Sequence, residues 1–135
     1  PDGKELCYTR NPDPREKLAW STNSDLWVVP VEPDEEGRTR AAVNITAKNP
    51  AWDGTPRYSP DGGSLAFGYS VLYPGFYADR MRLTVVDRGS GERNVLTEDW
   101  DQSCSGWAWS FRSAARRCSS AATRSTTSAA GMPTT

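Results

Sequence analysis

Histidine is absent from this 135-residue chain, and that absence excludes more chemistry than any other feature. A Ser-His-Asp or Cys-His catalytic unit needs an imidazole to take the proton of the nucleophile. H-E-x-x-H sites and mixed Cys/His zinc sites need it as a ligand. A G-x-S-x-G elbow and a Walker-type phosphate loop are missing too. Gly68-Tyr69-Ser70 begins like the elbow but carries Leu72 where the closing glycine belongs. No catalytic residue, metal ligand or cofactor is therefore assigned, and the chain by itself is not expected to be a self-sufficient hydrolase.

Charge of one sign is lacking as well: 16 basic and 17 acidic side chains leave a net charge of −1. Without a basic surplus no nucleic-acid partner is expected, and without a charge run no anionic membrane surface. No apolar run approaches the ~20 residues that span a bilayer. The chain starts at Pro1, inside a motif, without Met or a leader pattern; the expectation is a cut first residue, which leaves the compartment open. Cys7, Cys104 and Cys118 are odd in number and form no C-x-x-C pair, so a disulfide scaffold is not supported. Cys7 sits in an apolar run, where a buried free thiol is expected. Hydrophobic residues make up only 36% of a chain with the length of one domain.

What is present is turn chemistry. In Pro56-Arg57-Tyr58-Ser59-Pro60-Asp61-Gly62-Gly63-Ser64-Leu65-Ala66-Phe67, an aromatic strand runs into Ser-Pro-Asp-Gly and an apolar strand follows. Pro60 presets φ for the turn, Asp61 can bond the local backbone, and Gly62 can take φ > 0. The chain opens on the same element, Pro1-Asp2-Gly3-Lys4-Glu5-Leu6-Cys7-Tyr8, and Tyr58-Ser59 recurs as Trp109-Ser110. Strands are expected at 5–10, 25–31, 42–46, 56–58, 65–70, 82–87 and 93–97, with another starting at 107. Pro30 suggests an edge strand or a bulge. DLWVVPV…NIT at 25–46 matches RLTVVD…VLT at 82–97, and NPAWDG at 49–54 has a looser counterpart in EDWDQS at 98–103. No α-helix is expected; Lys17-Leu18-Ala19-Trp20 supports at most one turn. Four short strands repeating at roughly 40–50 residues are the signature of a propeller blade. The expected fold is thus all-β, a partial β-propeller of about two four-stranded blades. Blade 1 covers about 1–59 and blade 2 about 60–110. Tyr58, Phe67, Trp107 and Trp109 are expected as packing between blades. Asp34-Glu35-Glu36 reads as a solvated hairpin loop and not as a metal site.

After Ser110 the repeat breaks. Residues 111–135 carry Ala, Ser, Thr and Arg without an acidic side chain or apolar periodicity. They are expected to be disordered, a flexible tail or the product of a reading-frame shift near codon 110.

TPRYSPDGGSLAF, PGFYADR, RLTVVDRGSGERNVLTEDWD and GWAWS together resemble the propeller of the prolyl oligopeptidase family, on the branch of dipeptidyl peptidase V and acylaminoacyl-peptidase-like enzymes. The resemblance covers residues 1–110. It implies a serine exopeptidase in which a non-catalytic propeller covers an α/β-hydrolase domain that carries Ser, Asp and His. The propeller restricts access to short peptides and helps seat their amino termini, and none of the catalytic residues lies in this chain. The PGFYADR loop, with Phe76, Tyr77, Asp79 and Arg80, resembles a segment facing the shared cavity. Tyr77 stands where relatives often carry an acid, and Asp79 is also placed to pair with Arg80 or Arg82. The Ser-Pro-Asp-Gly motif is shared with TolB-like propellers, so the alternative is a scaffold for protein–protein interaction.

Overall fold

The computed structural model describes residues 1–71, 79–112 and 115–120. The fold is all-β: every named strand pairs antiparallel, and the one helical feature among the described residues is a 3-10 turn at Arg15–Lys17. The first sheet has the order β1 (Glu5–Arg10), β2 (Asp25–Pro30), β3 (Val43–Asn44). The second has the order β4 (Asp53–Tyr58), β5 (Ser64–Tyr69), β6 (Arg82–Asp87), β7 (Arg93–Val95). A hairpin of β8 (Trp107–Arg112) and β9 (Ala115–Ser120) follows.

The sequence repeat is also a repeat of pairing. In the first sheet Leu6 opposes Val29, Cys7 opposes Val28 and Tyr8 opposes Trp27. In the second, Leu65 opposes Val86, Ala66 opposes Val85 and Phe67 opposes Thr84. These are the same repeat positions in the same register. Side chains alternate between faces along a strand, so both sheets present matched faces. The same device locks the last strand of each, β3 in the first sheet and β7 in the second. Leu26 N donates to Thr46 Oγ1 at 2.9 Å, and Leu83 N donates to Thr97 Oγ1 at 2.9 Å.

The Ser-Pro-Asp-Gly turn closes as its residue types require. Gly62 N donates to Ser59 O at 2.8 Å with Gly62 at φ 71°, a conformation that costs a residue without Cβ nothing. Gly63 N donates to Asp61 Oδ1, as Lys4 N does to Asp2 Oδ1 at the chain start. β5 is the centre of the molecule. Leu65 and Phe67 pack toward the first sheet with Leu26 and Cys7, whereas Ala66 packs with Leu83, Cys104 and Trp107 on the other side. Phe67 is 1% exposed, and burying a side chain of that size contributes about 1.5–3 kcal/mol. Tyr58 and Trp109 flank these clusters half-buried.

The structure departs from the sequence expectations in four places. β4 begins at Asp53 rather than Pro56, because the strand tolerates a register shift between Gly54 and Arg57, with Thr55 at φ 50°. β4 pairs with β5, so the division between sheets falls within 45–52 and not at Ser59; the sequence reveals the period of a repeat but not its phase. β2 is central rather than an edge. Its Pro30 is tolerated because β3 pairs only with Trp27 and Val28, leaving no neighbour to receive the missing N–H. Finally, strand structure continues past Ser110, with Arg112 opposite Ala115 and Trp107 opposite Ser120. Main-chain bonds hold such a hairpin, so an Ala-, Arg- and Ser-rich composition does not forbid it.

Candidate functional site

Of the loop residues singled out in the sequence, Phe76 and Tyr77 lie outside the described residues, and Asp79 and Arg80 lie within them. The Asp79 side chain is 3% exposed and stands 3.6 Å from Arg82 Nη1. Its Oδ2 accepts from Val71 N. Arg82 also faces Glu98 at 3.3 Å and donates to Arg80 O at 3.0 Å. Arg80 Nη2 donates to Glu98 O at 2.7 Å. Both residues therefore fasten the segments at 71, 79–82 and 98 to one another.

Between the two sheets lies a cavity of 510 Å³, walled by Val28, Val43, Ile45, Phe67 and Val86. That is the size of a small-molecule pocket. At its rim Tyr58 Oη donates to Glu5 Oε1 at 2.6 Å, Arg88 pairs with the same carboxylate, and the Arg88 guanidinium lies 5.1 Å from the Tyr58 ring centre. Burial, then the bond to Glu5, pushes the Tyr58 phenol up. Nearby, burial and then the Glu5 charge raise the Cys7 thiol to about 11, partly offset by Arg88.

The least expected feature is at the seam where β4 meets the start of β2. Ser24 and Trp52 form a parallel bridge, and Asp53 N donates to Ser24 O at 2.7 Å. Residues opposite one another in a parallel pair point to the same side, so Asp25 and Asp53 share a side of this bridge. Asp25 is 2% exposed and Asp53 0%. Asn44 Nδ2 donates to Asp25 Oδ2 at 2.6 Å. Asp25 Oδ1 has no hydrogen-bond partner, and Asn23 Oδ1 is in the same state. Burial raises the Asp53 carboxyl to about 7, a shift to which Asp25 adds. Hydrogen bonds from the Asn49 and Thr46 side chains, and then the Arg93 charge, moderate it. Asn49 Nδ2 also donates to Ser70 O and Thr46 Oγ1 also accepts from Leu26 N, which leaves each a further proton for Asp53, while Arg93 stacks over Tyr69 at 4.2 Å.

Sequence reasoning passed over Asp25 and Asp53 because an isolated acid in a polar stretch reads as solvated. The repeat itself held the signal. Asp25 occupies the place of Arg82 as first residue of its strand, and Asp53 the place of Cys104, whose N donates to Met81 O at 2.8 Å as Asp53 N does to Ser24 O. Chemically the described residues offer binding and charge. Ser59 Oγ donates to Asp61 Oδ1 at 2.6 Å and accepts from Ser64 N, which commits it to the turn.

Stacked antiparallel sheets in one repeated register define the class of the chain. Among curated proteins, it is 32% identical over 101 residues to the dipeptidyl-peptidase 5 of Porphyromonas gingivalis, a match covering 75% of this chain. The chain spans 14% of that protein's length. No family model matches the sequence. No solved structure matches it either. The likeness is to a peptidase, over a stretch that contains no histidine.

Proposed function

We propose that the chain is two adjoining blades of a β-propeller that serves a longer serine exopeptidase of the prolyl oligopeptidase type. In that protein it is non-catalytic: it restricts access to short peptides and helps seat the substrate, while an α/β-hydrolase domain supplies Ser, Asp and His. The observation that carries this reading is the coincidence of a register-matched sheet repeat with a 32% identical stretch of a dipeptidyl-peptidase. The loop with Phe76, Tyr77, Asp79 and Arg80 is the segment proposed to face the substrate cavity. The commitment of Asp79 to Val71 and Arg82 supports a role for it in fixing that loop.

The gene downstream of codon 110 tests the proposal. In one frame or another, the expected finding is a further Pro-Asp-Gly repeat and then G-x-S-x-G followed by Asp and His. The intact protein should release dipeptides from a chromogenic dipeptidyl substrate, whereas residues 1–135 alone should not. A coding sequence that ends after its last blade, with no such elbow, overturns the peptidase reading and leaves a TolB-like scaffold for protein partners.

A further inference from the structure

We propose that the cavity between the two sheets binds a small carboxylate with an alkyl body, its head on Arg93 and its chain along the apolar walls. The cavity has the volume of a small-molecule site, 510 Å³, and its walls are mostly aliphatic. Val43 and Ile45, on and just after the two-residue strand β3, are 61% and 45% exposed beside it. Apolar surface left open along a concavity is a place for an apolar ligand. Charge decides the head group. Of the charged side chains that line the cavity, Glu5 is taken by Tyr58 and Arg88. Asp87 Oδ1 accepts from Gly89 N and Ser90 N in its own turn. Arg93 is different. Its guanidinium lies over the rings of Tyr69 and Phe67, at 4.2 and 5.3 Å, and its Nε makes one long bond of 3.4 Å to Thr84 Oγ1. Asp53 feels its charge through space, and among the described residues no carboxylate forms an ion pair with it. A guanidinium placed by aromatic rings keeps a planar fork of N–H donors for a carboxylate.

The next junction of the repeat is the internal control. In a second cleft of 340 Å³, Asp87 and Asn94 take the places that Pro30 and Val43 hold in the first. Glu92 lines it too, and Trp109 stands where the first cleft has Tyr58. The architecture thus supplies a cleft at each junction, and the side chains make one apolar and cationic, the other polar and acidic. An apolar lining with an unpaired cation is not a demand of the fold. It matches the first cleft, and not the second, to an apolar anion. The first cleft also reaches the end of the second sheet that carries the turns at 59–63 and 88–92. Tyr69 and Arg82, which flank the segment assigned to the peptide cavity, pair at the other end. The inference is therefore independent of the peptidase reading.

Calorimetric titration of the full chain with octanoate tests the site. The expected result is saturable binding of one octanoate per chain, with octanol about tenfold or more weaker because it lacks the charge. Acetate, the head without the body, should give no saturable heat. Arg93→Gln should bring octanoate down to the affinity of octanol and leave octanol as it was, which reports an intact cavity. Val43→Asn, which gives the first cleft the polar group of the second, should weaken both ligands alike. Arg15→Gln, in the 3-10 turn, should bind as the parent does. Three outcomes overturn the proposal. The first is no saturable heat with octanoate. The second is octanol or octylamine binding as tightly as octanoate. The third is an Arg93→Gln variant that keeps the preference for octanoate over octanol.

Discussion

At the scale of the residue, burial decides which groups are chemically available. Cys7 looks reactive by position, in a strand at the chain's start, yet it faces Leu26, Leu65 and Phe67. Loss of hydration and the neighbouring Glu5 charge hold its thiol at about 11 against an ordinary 9.0. Only the thiolate attacks a disulfide reagent, so at pH 8 Cys7 should react about a hundredfold more slowly than an unfolded cysteine. The measurement is a DTNB time course in a Cys104→Ser/Cys118→Ser background, with and without denaturant; equal rates in both would refute it. The sign for stability follows. The raised value means that the unfolded chain ionises first, so any contribution of Cys7 is intact below pH 9 and is lost as pH climbs toward 11.

The element scale is where the sequence was most legible. Pro60, Asp61 and Gly62 set a turn by their own backbone preferences, and the β-branched runs at 25–30 and 82–87 gave both strands with their ends nearly in place. β4 was legible only in its second half. Its first half, Asp53 and Gly54, leads into a bulge where alternation fails, and a pattern of period two cannot be read through it. The candidate seam was hidden for the same reason: Asp53 belongs to the irregular half. Partners of a buried acid depend on strands that meet only after folding. One element-level consequence is quantitative. Thr46 and Thr97 each accept the N–H of a buried leucine in the equivalent strand. Replacing either by Val orphans that donor and should cost about 1–3 kcal/mol, with similar values at both positions. Urea midpoints of Thr46→Val and Thr97→Val check this. A large inequality would mean that the two sheets are not energetic equivalents.

At the scale of the whole molecule, the faces of the sheets differ in what covers them. Leu65 is buried because the first sheet lies against it, whereas Leu6, at the same place in the repeat, is 56% exposed. Repeat units need about three neighbours for stability, and uncovered strand faces favour association. The isolated chain is therefore expected to aggregate or to express poorly. Leu6→Lys should lower light scattering and shift the elution volume toward the monomer, with an unfolding free energy changed by less than about 0.5 kcal/mol. A wild-type chain that melts cooperatively as a soluble monomer contradicts this view.

The shared register of the two sheets also makes the chain compatible with itself. Were Ser110 joined directly to Pro1 of a second copy, the junction would read Trp109-Ser110-Pro1-Asp2-Gly3, in step with Tyr58-Ser59-Pro60-Asp61-Gly62. β8, cut at Ser110, would then stand beside β1 as β4 stands beside β5. The unit is thus a tile with matching edges. Lengthening such a protein by duplication needs no new turn, no new register and no new lock for the last strand of a sheet.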